Sequence, residues 1–169
     1  MRTYGPGTTA DLVWWTKWTK RDVVAALSEL DAVAVTAETA VDAPAEPAWV
    51  LPDDIDDDPA IDDHVVSLLP SLDSAIMGWK QRDWYLGGHG PLLFDRNGNA
   101  GPTVWVDGRV VGGWSQRDNG DVVYRLLERV DPPTKKKVNA ERDRLTDWFG
   151  GARVTPRFRS PLEKELAKT

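Results

Sequence analysis

The sequence contains no cysteine, and its apolar runs are only a few residues long. The absence of cysteine excludes a disulfide scaffold, a cysteine nucleophile and a thiolate metal site. The short apolar runs exclude a transmembrane helix, which needs roughly 20 consecutive apolar residues. Residues 1–7 lack the apolar stretch of a secretory signal. We therefore expect a soluble, cytoplasmic protein with no membrane contact.

Positive charge is scarce in the first part of the chain. Residues 1–74 hold four basic and 15 acidic side chains, whereas residues 75–169 hold 17 basic and 12 acidic ones. The net charges of the two parts are therefore −11 and +5, within a total of −6. Because the basic excess is confined to the second part, the acidic total argues only weakly against a nucleic-acid ligand.

Much of the negative charge lies in residues 53–63, which include seven aspartates. Dense like charges repel one another and resist burial, so this run is typical of a solvated linker. Carboxylates also suit Ca²⁺ or Mg²⁺, but the run lacks the turn glycine and the closing glutamate of a calcium loop. We predict a linker at 53–63 between a domain at 1–52 and a domain at 64–169.

Two helix starts are visible in the first part of the chain. Thr8 and Thr19 are suited to cap a helix, because a threonine hydroxyl accepts a hydrogen bond from a first-turn amide. Asp11 and Asp22 follow them by three positions, as in a capping box. We predict one helix after each cap. The apolar stripe of the second helix comprises Val23, Val24, Leu27 and Leu30.

The residues after these helices have the composition of a β-hairpin, with strands at 32–36 and 48–52. Helix, short turn, helix and hairpin is the order of a winged helix-turn-helix, whose recognition helix would begin at Lys20 and Arg21. That fold normally begins with one more helix, and residues 1–7 are too few to form it. We expect an N-terminal truncation or a short variant; the alternative is a small helical packing module that contacts no nucleic acid.

The second part has the signals of a small antiparallel β domain. Asp107–Gly108 and Asn119–Gly120 predict hairpin turns, and Gly112–Gly113 predicts a bulge of the kind found in curled sheets and barrels. Helices are predicted at 72–86, at 132–149 and at the C-terminus. The fold class is therefore α+β: a winged helix-turn-helix lacking its first helix, followed by a small antiparallel β-barrel-like domain with C-terminal helices.

No catalytic constellation is visible in the sequence. The two histidines, His64 and His89, lie far apart in predicted loops. The motifs of zinc proteases, phosphate-binding loops and dinucleotide-binding folds are absent. We predict no catalytic residue, no metal site and no cofactor.

The basic residues of the second part indicate a function more clearly than the histidines do, because their pattern suits phosphate binding. Arg153, Arg157 and Arg159 alternate, so a strand at 153–159 would place all three on one face. The forked guanidinium of arginine suits phosphate groups. The alternative, weighed about equally, is a set of surface arginines paired with neighbouring carboxylates. The predicted DNA-binding residues are Lys20, Arg21, Lys80, Arg82, Arg96, Arg153, Arg157 and Arg159.

Several stretches of the chain together resemble one protein family. These stretches are Gly5–Trp15, Val66–Pro70, Gly78–Arg82, Phe94–Gly98, Val104–Gly112 and Arg153–Glu163. In this order they resemble the C-terminal half of bacterial winged-helix DNA-binding proteins of the alkylpurine and crosslink DNA glycosylase type. The likeness runs from about residue 4 to residue 167.

The resemblance implies tandem winged helices followed by a small β-barrel-like domain, with a concave basic surface that holds duplex DNA. Catalytic members of this family carry, in their N-terminal part, two glutamines separated by one residue. Gln81 and Gln116 are the only glutamines in this sequence, and they stand apart. The resemblance therefore implies the non-catalytic half of such a protein.

Three functional hypotheses follow. The first is a DNA-binding module that contacts the backbone of duplex DNA without a catalytic site of its own. The second is a structural or protein-interaction module that docks on a missing N-terminal part or associates with itself. The third is a DNA glycosylase that acts on alkylated or crosslinked bases.

Overall fold

The structure is a computed structural model that describes residues 2, 5–37, 45–55 and 64–168. The chain forms two compact units. The N-terminal unit comprises residues 1–60 and 78–84, and the C-terminal unit comprises residues 61–77 and 85–169. Each unit is built on one antiparallel sheet, so the chain has a mixed α and β fold, as predicted.

The N-terminal unit contains two helices and a three-stranded sheet. Its elements are β1 (Gly7–Thr8), α1 (Thr9–Thr16), α2 (Lys20–Glu29), β2 (Val33–Ala37) and β3 (Glu46–Val50). The strand order is β1-β3-β2, and β1 and β2 both run antiparallel to β3. The predicted hairpin of β2 and β3 is therefore confirmed, and β1 adds a third strand.

Both predicted helix caps are confirmed. The hydroxyl of Thr8 accepts a hydrogen bond from the Asp11 amide, and the Asp11 carboxylate accepts one from the Thr8 amide, which completes a capping box. The hydroxyl of Thr19 accepts a hydrogen bond from the Asp22 amide at 3.2 Å. Lys17, in the left-handed conformation, ends α1. The two helices are therefore joined by a three-residue turn.

The apolar stripe of α2 is narrower than predicted. Val23 and Leu27 are buried, with 3% of each residue exposed. Val24 and Leu30 are about half exposed, so their assignment to the buried face was wrong. Residues 23 and 27 are four positions apart and therefore lie on the same face of the helix, and this face is the buried one.

The C-terminal unit is built on a four-stranded sheet with the order β4-β5-β6-β7. The strands are β4 (Val66–Leu69), β5 (Thr103–Val106), β6 (Arg109–Gln116) and β7 (Val122–Leu126). The helices of the second part are α3 (Ser74–Met77), α4 (Asp83–Leu86), α5 (Gly90–Leu93), α6 (Pro132–Phe149) and α7 (Pro161–Lys168). None of the described helices is long and apolar enough to cross a bilayer.

The sheet of the C-terminal unit contains a bulge next to the predicted Gly112–Gly113 position. Val104 pairs with Gly112 whereas Trp105 pairs with Val110, so Val111 is an extra residue in β6. Within the described residues the sheet stays open, with β4 and β7 at its edges, and no closed barrel is formed. The core packed on this sheet includes Val104, Val111, Trp114 and Val122 of the strands and Val138 of α6.

Two predicted elements are wrong. Residues 72–86 do not form one helix, because the chain is helical only in the short α3 and α4 and irregular between them. Residues 153–159 are not a strand. The Val154 amide donates to the side-chain Oε1 of Gln116 at 2.9 Å instead of to a neighbouring strand, and Pro156 has no amide to donate.

Candidate nucleic-acid interface

The N-terminal unit gathers four cations around Trp14. The Nζ of Lys17 lies 5.0 Å from the centroid of the Trp14 ring, and the Cζ of Arg82 lies 5.5 Å from it. Lys20 and Lys80 line the same pocket as Trp14, which has a volume of about 760 Å³. We call Lys17, Lys20, Lys80 and Arg82 the tryptophan-centred cluster. Its cations come from two separate stretches of sequence, residues 17–20 and 80–82.

A buried carboxylate holds the stretch that carries Lys80. The Asp11 Oδ1 accepts a hydrogen bond from the Lys80 amide at 2.9 Å, while its Oδ2 accepts from the Thr8 hydroxyl at 2.6 Å. Only 6% of Asp11 is exposed. The residue that caps α1 therefore also fixes residues 78–84 beside α1, which explains how Lys80 and Arg82 reach Trp14.

Arg21 lies outside this cluster. Its side chain is 93% exposed, and its Nε is 3.9 Å from Asp22. It projects from the first turn of α2 beside Lys20. Trp15 and Trp18 are also more than half exposed, whereas Trp14 is half-buried beneath its cations.

The C-terminal unit has its own basic site, a pocket of about 350 Å³ that we call the arginine pocket. Arg96, Arg157 and Arg159, all predicted DNA-binding residues, line it together with Lys164. Lys164 was missed because it lies in a helix whose sequence alternates acidic and basic residues. Asp95 is the one carboxylate among the described lining residues, so positive charge exceeds negative charge there.

The Asp95 carboxylate is committed to the turn that presents Arg96. It accepts hydrogen bonds from the amides of Asn97 and Asn99 at 2.8 and 2.9 Å and from the Asn99 side chain at 3.0 Å. These bonds, led by the one from the Asn99 amide, hold the pKa of Asp95 below its usual value. Asp95 therefore stays ionised and braces the turn.

Arg159 is the most buried cation of the arginine pocket. Its side chain is 20% exposed, and its Nε lies 3.5 Å from the Oε1 of Glu163, which is 2% exposed. Arg157 is exposed, and its guanidinium lies 5.3 Å from the ring of Phe158. Pro161, the first residue of α7, also lines the pocket, so the positive end of a helix dipole adds to the charge.

Arg153 has a different environment from the one predicted. Its guanidinium donates to the backbone carbonyls of Asp118, Asn119, Gly151 and Ala152 at 2.7 to 3.2 Å. Gly120, with a φ of +103°, leaves the space that the guanidinium occupies. Arg153 therefore fastens the β6–β7 turn to the end of α6, and it does not line the arginine pocket.

The glutamines and histidines form no reactive group in the described part of the chain. Gln116 donates from Nε2 to the carbonyls of Gly120 and Ala152 and accepts at Oε1, so its amide is used structurally. His64 contacts Asp107 at 3.1 Å, and His89 contacts Glu128 at 2.9 Å. Among the described residues, no group of three histidines or carboxylates is placed to hold a metal ion.

Comparison with known proteins assigns the chain to a family. The family model described as "DNA glycosylase AlkZ-like" matches residues 1–148. The chain belongs to the AlkZ-like DNA glycosylase family. The predicted resemblance to DNA-repair glycosylases is thereby confirmed at the level of the family. No curated protein sequence is significantly similar to the chain.

A solved structure also matches the AlkZ-like chain. The chain is similar to the solved structure of the Streptomyces sahachiroi DNA glycosylase AlkZ, with 22% sequence identity and a TM-score of 0.64. The match covers 85% of this chain and 40% of that protein, so the chain spans less than half the length of this relative. At this identity the likeness shows the shared fold.

Proposed function

We propose that this AlkZ-like chain is a duplex-DNA-binding module of a DNA-repair protein and contacts the phosphate backbone without a catalytic site of its own. The observation that carries this proposal is the gathering of predicted DNA-binding residues into two cationic sites, the tryptophan-centred cluster and the arginine pocket. Phosphate contacts by lysine and arginine position a protein on a duplex and dominate its affinity. The same proposal places the protein in the cytoplasm with its DNA.

We propose that the N-terminal unit is a winged helix lacking its first helix. The order of β1, α1, α2, β2 and β3, with a three-residue turn between the helices, supports this assignment. In such a motif the N-terminal end of the second helix faces the groove. Lys20 and Arg21 occupy that end of α2, and Arg21 is almost fully exposed.

In the C-terminal unit, we assign phosphate contacts to Arg96, Arg157 and Arg159. The arginine pocket can surround one phosphate with several guanidinium groups. A guanidinium group and a phosphate form bidentate hydrogen bonds with each other. Arg153 contributes indirectly in this proposal, because its guanidinium is engaged with four backbone carbonyls. The open, bulged sheet of this unit corresponds to the barrel-like domain that the family resemblance implies.

We propose further that the chain corresponds to the C-terminal half of its family. In this proposal the acidic linker at 53–63 joins domains at 1–52 and 64–169, and residues 78–84 of the second domain belong to the N-terminal compact unit. The 40% coverage of the solved relative supports correspondence to a part of a longer protein, and the assignment of that part to the C-terminal half rests on the family resemblance. Residues 56–63 of the linker lie outside the described residues. At its start, Asp53 pairs with Arg2 at 2.7 Å, with both side chains exposed.

Binding of a labelled duplex of random sequence, measured by fluorescence anisotropy between about 50 and 200 mM salt, tests the proposal. Affinity should fall steeply with salt, because each neutralised phosphate releases counterions. The double variant R96A/R157A should bind more weakly and lower the logarithmic salt slope by about two. The variant K20A/K80A should act in the same way on the tryptophan-centred cluster.

Arg144→Ala and Lys136→Ala are the matched controls. Both residues are exposed on α6 and line neither cationic site, and Arg144 pairs with Glu141 at 2.7 Å. These variants should keep the affinity and the salt slope of the unmodified chain. Absence of binding at low salt would refute the proposal, as would equal losses in the control and test variants.

Family membership favours a DNA glycosylase as a second candidate. The absence of a closely spaced glutamine pair and the structural engagement of Gln116 argue against it. We therefore expect no base release from alkylated or crosslinked duplexes, and release above the protein-free rate would establish this activity. The third candidate is docking on a missing N-terminal part or self-association. Self-association predicts a concentration-dependent mass in sedimentation, and docking predicts co-sedimentation with the N-terminal part; the first candidate requires neither.

A further inference from the structure

The C-terminal unit contains an apolar pocket of about 460 Å³ that is distinct in its lining from the arginine pocket. We call it the aromatic pocket. Its walls include Leu68, Trp114, Leu145, Trp148, Phe149 and Val154. Its volume falls in the range of small-molecule sites, which are concave and mostly apolar with a few polar groups. Trp148 and Val154, which are 74% and 53% exposed, place its mouth at the protein surface.

The aromatic rings of the wall are arranged around Phe149. The Trp148 ring lies edge-on to it with the centroids 5.4 Å apart, and the Trp114 ring is tilted at 6.4 Å. Trp114 is fixed because its Nε1 donates to the Leu69 carbonyl at 2.9 Å. Rings held in this way offer their faces and edges to a flat aromatic molecule.

The polar groups of the wall favour a ligand without negative charge. The side-chain amide of Gln116 is already hydrogen-bonded at both ends. Glu163 is the one ionisable side chain among the described lining residues. Its Oε2 is buried and has no hydrogen-bond partner among the described residues. An anion would therefore meet no cation in this wall, whereas above about pH 7, where Glu163 is ionised, a positive charge would be attracted by its carboxylate and by the aromatic faces.

We propose that the aromatic pocket binds a flat aromatic molecule of two or three fused rings that is neutral or carries one positive charge. The aromatic walls supply stacking, and the charge of the wall excludes anions of the same size. The proposal does not rest on DNA binding, because the residues that line this pocket include none of the predicted phosphate contacts.

The test is equilibrium dialysis of the full chain at pH 8, where Glu163 is ionised, and without DNA. The probes are 9-aminoacridine, a three-ring cation, and anthracene-9-carboxylate, an anion of the same ring size. The cation should bind at one site per chain, and the anion should bind at least about tenfold more weakly. Trp148→Ala should weaken binding of the cation about three- to tenfold through lost stacking, with little effect on folding because the side chain is mostly exposed.

Two further variants distinguish binding in the aromatic pocket from general hydrophobic binding elsewhere on the chain. Trp15→Ala removes a comparably exposed tryptophan from the N-terminal unit, outside the pocket, and should leave binding of both probes unchanged. Glu163→Gln should reduce the preference for the cation over the anion. Equal effects of the two tryptophan variants, binding of the anion as tight as that of the cation, or absence of saturable binding would each overturn the proposal.

Discussion

Glu163 should make the stability of this AlkZ-like chain depend on pH in a direction opposite to that of a paired carboxylate. The residue is 2% exposed in the first turn of α7, and its Oε2 has no hydrogen-bond partner among the described residues. Burial raises the pKa of Glu163 to about 7, although Arg159, the Ser160 hydrogen bond and Lys164 oppose the shift. The folded chain therefore holds the Glu163 proton more tightly than the unfolded chain does.

The sign and size of the effect follow from this difference. The stabilisation by the protonated group is complete below the ordinary pKa of 4.5 and is lost as the pH rises through about 7. Each pKa unit corresponds to about 1.4 kcal/mol. Between pH 5.5 and pH 8, linkage with these two pKa values removes roughly 2 kcal/mol from the free energy of unfolding.

Urea unfolding followed by tryptophan fluorescence at these two pH values measures the loss. Glu163→Gln keeps the shape of the side chain but cannot ionise, so its free energy of unfolding should lack the Glu163 contribution to the pH dependence. The control Glu165→Gln lies in the same helix but is about half exposed and pairs with Arg125 at 2.7 Å. It should retain the slope of the unmodified chain. The reasoning is refuted if E163Q keeps the full pH dependence, or if it is less stable than the unmodified chain at pH 8.

Two other substitutions test the packing of each unit. Asp11→Ala removes the capping box and the hydrogen bond to the Lys80 amide, and should cost about 1–2 kcal/mol in urea unfolding while increasing hydrogen exchange at residues 78–84. Gly113→Ala would place a Cβ 2.8 Å from Leu162 and 3.0 Å from Leu93, so overpacking should cost about 1–3 kcal/mol. An unchanged unfolding midpoint in either variant would contradict the packing described here.

The helix caps and hairpin turns were predictable because the residues that determine each of them lie within a few positions of one another. Thr8 and Thr19 cap helices with their own neighbours, and the Asp107–Gly108 turn closes the β5–β6 hairpin. Each feature depends on side-chain to backbone bonds or backbone angles over two to four positions. Spacing alone therefore sufficed to predict them.

The strand predicted at 153–159 failed for a nonlocal reason. Alternating arginines and valine fit a strand, but the backbone amide of Val154 is taken by Gln116, which lies 38 residues earlier. Arg153 reaches carbonyls up to 35 residues away. The periodicity of the segment contains no information about these partners.

The sequence by itself determined the family, the α and β composition and most of the cations that form the two basic sites. The tertiary structure alone decided which of those cations meet, that Lys17 and Lys164 join them, and that Arg153 is a brace. It also decided that Glu163 is buried beside an apolar pocket. The physical reason is that burial, desolvation and pairing depend on groups far apart in sequence, whereas caps and turns depend on adjacent ones.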